Sequence, residues 1–245
     1  MAPVWLAAPA HADSVSTLIS RLDQLEGDQV VKVRVDSELW RADGKGDDRE
    51  EFEVAVEMTA QSGPEGYQLH YGKPLLERLE SESESLVENP DAITKTSDFM
   101  WQLDLNEIRP LLDTARTLRR EVQRSEFRSS QEDTYNDQPA TRLTFERDKQ
   151  VVDGRMRKYV KQFDSSLEIW VDDEGTPLAS RMNMHAKGSL LFVIRGEYRE
   201  EATHHYDTVN DRLIIRQLER WRKADLPGEH RETRLSQRLT PLTAR

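Results

Sequence analysis

This 245-residue sequence predicts an α+β fold: a large, curved antiparallel β-sheet, half-barrel-like, wrapped around two or three helices. Three observations carry the prediction. Short apolar/polar alternations bounded by turn residues recur between Val31 and Leu239, as strands with one dry face require. Apolar residues at helical spacing are confined to a stretch near the start and to a segment at about 74–124. The resulting order of helix, strands, helices, strands suits about nine or ten strands whose apolar face is closed by helices inserted between two strand runs.

Residues Val15, Leu18, Ile19, Leu22 and Leu25 sit on one helical face, and Gly27 ends the pattern. From Val30 to Trp40, Val31, Val33, Val35 and Leu39 alternate with Lys32, Arg34, Asp36 and Glu38. Gly44 and Gly46 supply the positive φ of a hairpin loop. The partner strand places Phe52, Val54, Val56, Met58 and Ala60 on one face, and a turn at Gly63–Gly66 leads to Tyr67, Leu69 and Tyr71, a three-strand meander.

Pro74 suits a helix's first turn, followed by an acidic Glu80–Ser85 stretch that reads as a solvated helix face or helix–loop junction; it lacks the spacing and glycine of a calcium loop. Leu105, Ile108, Leu111, Leu112, Ala115, Leu118 and Val122 form the stripe of one further helix, with Asp104 and Glu107 at capping-box spacing. The strand pattern resumes at Ala140, through Leu143 and Phe145, then Tyr159 to Val171, and after an acidic turn at Asp172–Pro177 reaches Leu178, Met182 and Met184. Gly188 predicts a turn before a two-sided apolar strand from Leu190 to Ile194. Asn210–Asp211 precedes Leu213–Ile215, and an Arg-rich strand at Leu235–Leu239 predicts a charge-protected edge.

With a net charge of −11, the chain disfavours nucleic acid, and the Arg116, Arg119, Arg120 and Arg124 cluster reads as a solvated helix face. No segment approaches the ~20 apolar residues of a spanning helix, so the chain is expected not to cross a membrane. An apolar run before Ala10-His11-Ala12 has the form of the distal part of a secretory signal, which predicts a signal-peptide remnant at 1–12 and a single domain at 13–245, in the periplasm or secreted. There is no cysteine, hence neither a disulfide framework nor a lipidated thiol.

No residue pattern predicts catalysis, a metal or a cofactor. Cysteine and G-x-S-x-G are both missing, and the adjacent His204 and His205 would fall on opposite faces of a strand. The expectation is a non-enzymatic protein. Its inner sheet face, with Val33, Val35, Phe52, Val54, Val56, Leu69, Met182, Met184 and Phe192, can either pack solidly on the helices or line an apolar ligand cavity.

The exported start, the element order and the segment LEIWVDDEGTPL at Leu167–Leu178 together resemble the periplasmic carriers of outer-membrane lipoproteins, and also uncharacterised secreted bacterial proteins of the same layout. The resemblance implies an open curved sheet over helices that shelters a lipid or acylated partner. It assigns no functional residue to a position here. The expected function is therefore binding of a lipid, acylated peptide or other apolar ligand between sheet and helices. The alternative is a cell-envelope protein–protein interaction module with a solid core.

Overall fold

The computed structural model describes residues 10–152, 154–190, 194–226 and 228–242. The strands are β1 (Val31–Asp43), β2 (Glu50–Gly63), β3 (Gly66–Tyr71), β4 (Ser125–Tyr135), β5 (Gln138–Arg147), β6 (Val160–Val171), β7 (Pro177–Leu190), β8 (Ile194–Val209), β9 (Arg212–Leu226) and β10 (Glu229–Pro241). They form one open, curved antiparallel sheet in the order β3-β2-β1-β10-β9-β8-β7-β6-β5-β4. The helices are α1 (Ala10–Gln24), α2 (Lys73–Glu88), α3 (Lys95–Gln102), α4 (Leu105–Leu112) and α5 (Thr114–Gln123), with one short helical turn at Gly154–Arg157.

The connection from edge strand β3 to the opposite edge strand β4 contains α2 to α5, so these helices cross the sheet. Their apolar faces fill the inner side in two adjoining clusters. In the first, Phe99, Leu103, Ile108, Leu111 and Leu112 of α3, α4 and the joint between them pack on β1, β2, β9 and β10. In the second, Leu18, Leu22 and Leu25 of the α1 region and Ala115, Leu118 and Val122 of α5 pack on β5, β6 and β9.

The expected single helix over 105–122 is two. Pro110 lies inside α4, and Asp113, at φ −116° and ψ 46°, separates α4 from α5. Proline offers no N–H to the helix ladder, and Thr114 Oγ donates to the carbonyls of Pro110 or Leu111 at 3.1 and 3.0 Å. The break transfers the apolar stripe from one cluster to the other, Leu112 belonging to the first and Ala115 to the second. Asp104 caps α4, its Oδ1 accepting from the Asn106 and Glu107 amides at 2.7 and 3.2 Å.

Three further expectations change. β10 is central, not an edge, pairing with β1 on one side and β9 on the other; Arg234 and Arg238 face outward while Leu235, Gln237 and Leu239 are buried. Gly188 lies inside β7 rather than at a turn, and its missing side chain serves a close approach: a Cβ there would stand 2.5 Å from the Tyr159 carbonyl oxygen, next to the register shift of β6. The two-sided strand expected at Leu190–Ile194 is not one strand: the register pairs Leu190 with Ile194, the facing ends of β7 and β8, and residues 191–193 lie outside the described residues. Two strands carried no expectation, the polar β4 and most of β8.

Of the four clustered arginines, Arg116, Arg120 and Arg124 are exposed, while Arg119 and Arg116 also reach acids of the α1 region. Arg119 pairs with Asp23 and, at 2.6 Å, with Glu26, while Arg116 reaches Glu26 and Asp113 at 3.6 and 3.5 Å. Glu82, within the acidic stretch of α2, accepts hydrogen bonds at 2.8 Å from the Thr96 and Ser97 amides and the Ser97 hydroxyl. Burial opposes ionisation of that carboxyl, but the donors from Ser97 and Thr96 outweigh it and hold the pKa below its ordinary value. The first turn of α3 is thereby fastened to α2.

Candidate functional site

Strand register turns the inner face into cross-strand rows whose chemistry changes along the strands. Nearest the helices, Val33 and Val35 lie beside Ala60 and Met58 and are fully buried. Two residues further along β1, Ser37 shares a row with Gln237, Leu218, His204 and Ser180. The next row holds Val54, Leu39, Leu235, Arg220, Ala202 and Met182. The row beyond it holds Phe52, Arg41, Thr233, Arg222, Glu200 and Met184. The face therefore passes from aliphatic to ionic, with apolar side chains at both flanks of the ionic strip.

The charges in this strip are internally matched. Arg222 Nε lies 3.0 Å from the buried Glu200 carboxylate, Tyr198 donates its hydroxyl to the same carboxylate at 2.7 Å, and Arg220 reaches Glu107 of α4 at 3.3 Å. Burial, reinforced by the Glu200 charge, pushes the Tyr198 hydroxyl pKa upward. Phe52 lies between two cations, with Arg41 5.5 Å and Lys95 5.7 Å from its ring centre.

The residues expected to line a cavity divide into three groups. Val33, Val35 and Val56 belong to the core cluster under α3 and α4, and Phe52, Val54 and Leu69 pack against it half-buried. Met182 and Met184 are half-buried on β7, five strand positions from β2 but in the same rows as Val54 and Phe52. Phe192 lies outside the described residues. The buried Arg147 donates to Met182 Sδ at 2.6 Å and reaches Glu121 of α5 at 2.7 Å. Periodicity identified the inward faces, but inward ionic residues such as Glu200 and Arg222 broke it and were missed.

The histidines separate as strand geometry requires. His204 Nδ1 is 3.1 Å from the inward Ser180 hydroxyl, itself 2.6 Å from the Tyr206 hydroxyl, whereas His205 Nδ1 meets the Tyr135 hydroxyl at 2.5 Å. Ser180 is only 1 % exposed, so its hydroxyl is buried, while the His204 ring is half-buried. Among the described residues no group of three or more metal-ligating side chains converges.

Clefts open at several places. A groove of about 630 Å³ lies across β2, β1, β10, β9 and β8, with Trp40, Trp221, Arg234 and Glu219 among its side chains. A cleft of about 950 Å³ runs from the end of α5 along β4 to β6, past Arg124, Arg147, Phe145 and Phe163. A smaller one of about 340 Å³ adjoins Met184, His185 and Glu200. The fold and these sites define an open antiparallel half-barrel with a helical cover over its inner face. The chain matches no family model and no curated protein.

Proposed function

We propose that this chain is a non-enzymatic exported protein, periplasmic or secreted, that binds a lipid, acylated peptide or other apolar ligand between its sheet and helical cover. The observation that carries this reading is the graded inner face. Its aliphatic half suits an acyl chain, and the strip of Arg220, Arg222, Glu200 and Phe52 beyond it suits the ligand's polar end. The cover is displaceable in principle because α3 and α4 have eight residues each, below the length that is stable in isolation. A chain seated there would take over the contacts that Phe99 and Ile108 now make with the sheet, at about 25 cal/mol per Å² of apolar surface kept from water.

Export is part of the same reading. Cleavage after Ala12 would remove only the first three residues of α1 and keep Leu18, Leu22 and Leu25, which hold it to the sheet.

The alternative, a docking module with a solid core, draws support from the cover's outer surface, where Leu76, Val87, Ile93, Leu105 and an 85 % exposed Trp101 face solvent. Native mass spectrometry of the protein purified from the periplasm, followed by organic extraction, decides between them. An acyl species near one-to-one, reduced by Phe52→Ser and Met182→Ser, is expected. A clean apo mass together with no uptake of added palmitate would favour the docking module.

A further inference from the structure

Most of the lining of the groove of about 630 Å³ comes from outward-facing residues of the sheet, with Leu39, Val54, Arg220 and Leu235 of an inner-face row also bordering it. One wall is a single cross-strand row: Trp40 stands beside Arg234, and Arg234 beside Trp221, with Glu53 and Glu201 at the two ends. The neighbouring row supplies the floor, where the small Ala55, Ser236 and Thr203 alternate with Glu38 and Glu219. Large indoles beside small side chains make the trough.

The two arginines that border this groove are already matched, Arg220 by Glu107 of α4. The Arg234 guanidinium lies 4.8 Å from the Trp40 ring centre and 3.5 Å from Glu232, and Trp221 Nε1 donates to the same Glu232 at 2.9 Å. Glu38, Glu53 and Glu201 form no ion pair among the described residues, and Glu219 accepts an amide hydrogen bond from Gln217. An indole-walled groove with surplus carboxylates, on a chain of net charge −11, repels anions and draws in cations.

We propose that this groove docks an extended, lysine- or arginine-bearing segment of a partner polypeptide. The span from β2 to β8 crosses four strand spacings, roughly 19 Å, which an extended segment of about six residues covers. Side chains on one face of such a segment meet Glu38 and Glu219, and its aliphatic stems lie against Trp221. Occupation of this face does not require the helical cover to move.

The test is fluorescence anisotropy of a labelled Lys-Ala-Lys-Ala-Lys-Ala peptide with the full chain at low salt, with Glu-Ala-Glu-Ala-Glu-Ala as control. Glu38→Gln/Glu219→Gln removes two groove charges at exposed positions; Glu84→Gln/Glu88→Gln removes two from α2. The expected result is binding of the basic peptide alone, weakened roughly fivefold by the groove variant and unchanged in the α2 variant. No binding, or equal weakening by both variants, overturns the proposal, the latter because it reports only the overall field. Near-ultraviolet circular dichroism verifies that both variants keep the parent fold.

Discussion

His204 is a half-buried imidazole on the inner face, bonded through Nδ1 to the Ser180 hydroxyl, which also meets the Tyr206 hydroxyl. Burial, followed by the positive charge of Arg220, lowers its pKa from 6.5 to about 4, while Glu200 opposes the shift weakly. An unfolded chain therefore takes up this proton at higher pH than the folded one. The stability tied to neutral His204 is fully present above pH 6.5 and is lost as pH falls towards 4, by up to about 3 kcal/mol. Urea unfolding at pH 7, 6 and 5 should show a falling midpoint, and His204→Gln should flatten that slope; an unchanged slope in the variant would place the effect elsewhere. Alternation put His204 and His205 on opposite faces of a strand, but identified neither the inward one nor its partners. Ser180 lies 24 residues away in the chain and meets it only through β7–β8 register.

At the scale of elements, legibility followed the contrast between the two faces of each strand. In β1 and β2, aliphatic residues alternate with Lys, Arg, Asp and Glu, and the strands were readable. In β8 the inward positions are Tyr198, Glu200, Ala202 and His204, no dry stripe: Tyr198 donates to Glu200, Glu200 pairs with Arg222 of β9, and His204 bonds to Ser180 of β7. β4 is an edge strand with a polar sequence and a bulge between Phe127 and Ser129. Its one clear signal was Asn136–Asp137, whose φ values of 50° and 62° close a tight hairpin to β5.

Gly188 gives the element scale its prediction. The close approach of the Tyr159 carbonyl means that a side chain must push backbone apart where β6 shifts register. Gly188→Val should therefore lower stability by about 2 kcal/mol or more, against little change for Gly154→Ala, which meets nothing within 4 Å. Urea midpoints at neutral pH compare the two, and equal midpoints would mean that the backbone around Gly188 yields to a side chain without cost.

Across the whole molecule, the sheet consists of two meanders joined by β10. The first meander, β1 to β3, has one strand pairing with the rest of the sheet, β1–β10, which brings together Ser37 and Gln237, two residues buried side by side and hydrogen-bonded at 3.1 Å; Arg212 of β9 adds a side-chain bond to the Ser62 hydroxyl of β2 at 3.0 Å. So long a loop between partners makes this seam entropically the costliest contact to form. β9 cannot replace β10 as the partner of β1 without setting Arg220 or Arg222 beside a β1 row that now faces Leu235 or Thr233, with the buried Glu200 pairing disturbed. Ending the chain at Leu226 should therefore do more than remove one strand. The cooperative urea transition and the near-ultraviolet tryptophan signal should both disappear, because Trp40 and Trp221 lose the Arg234 and Glu232 side chains between them and the inner clusters lose Leu235 and Leu239. A truncated chain that still unfolded cooperatively with a native signal would mean that the two meanders fold as separate units, and the helical cover would then be holding them together in place of the sheet.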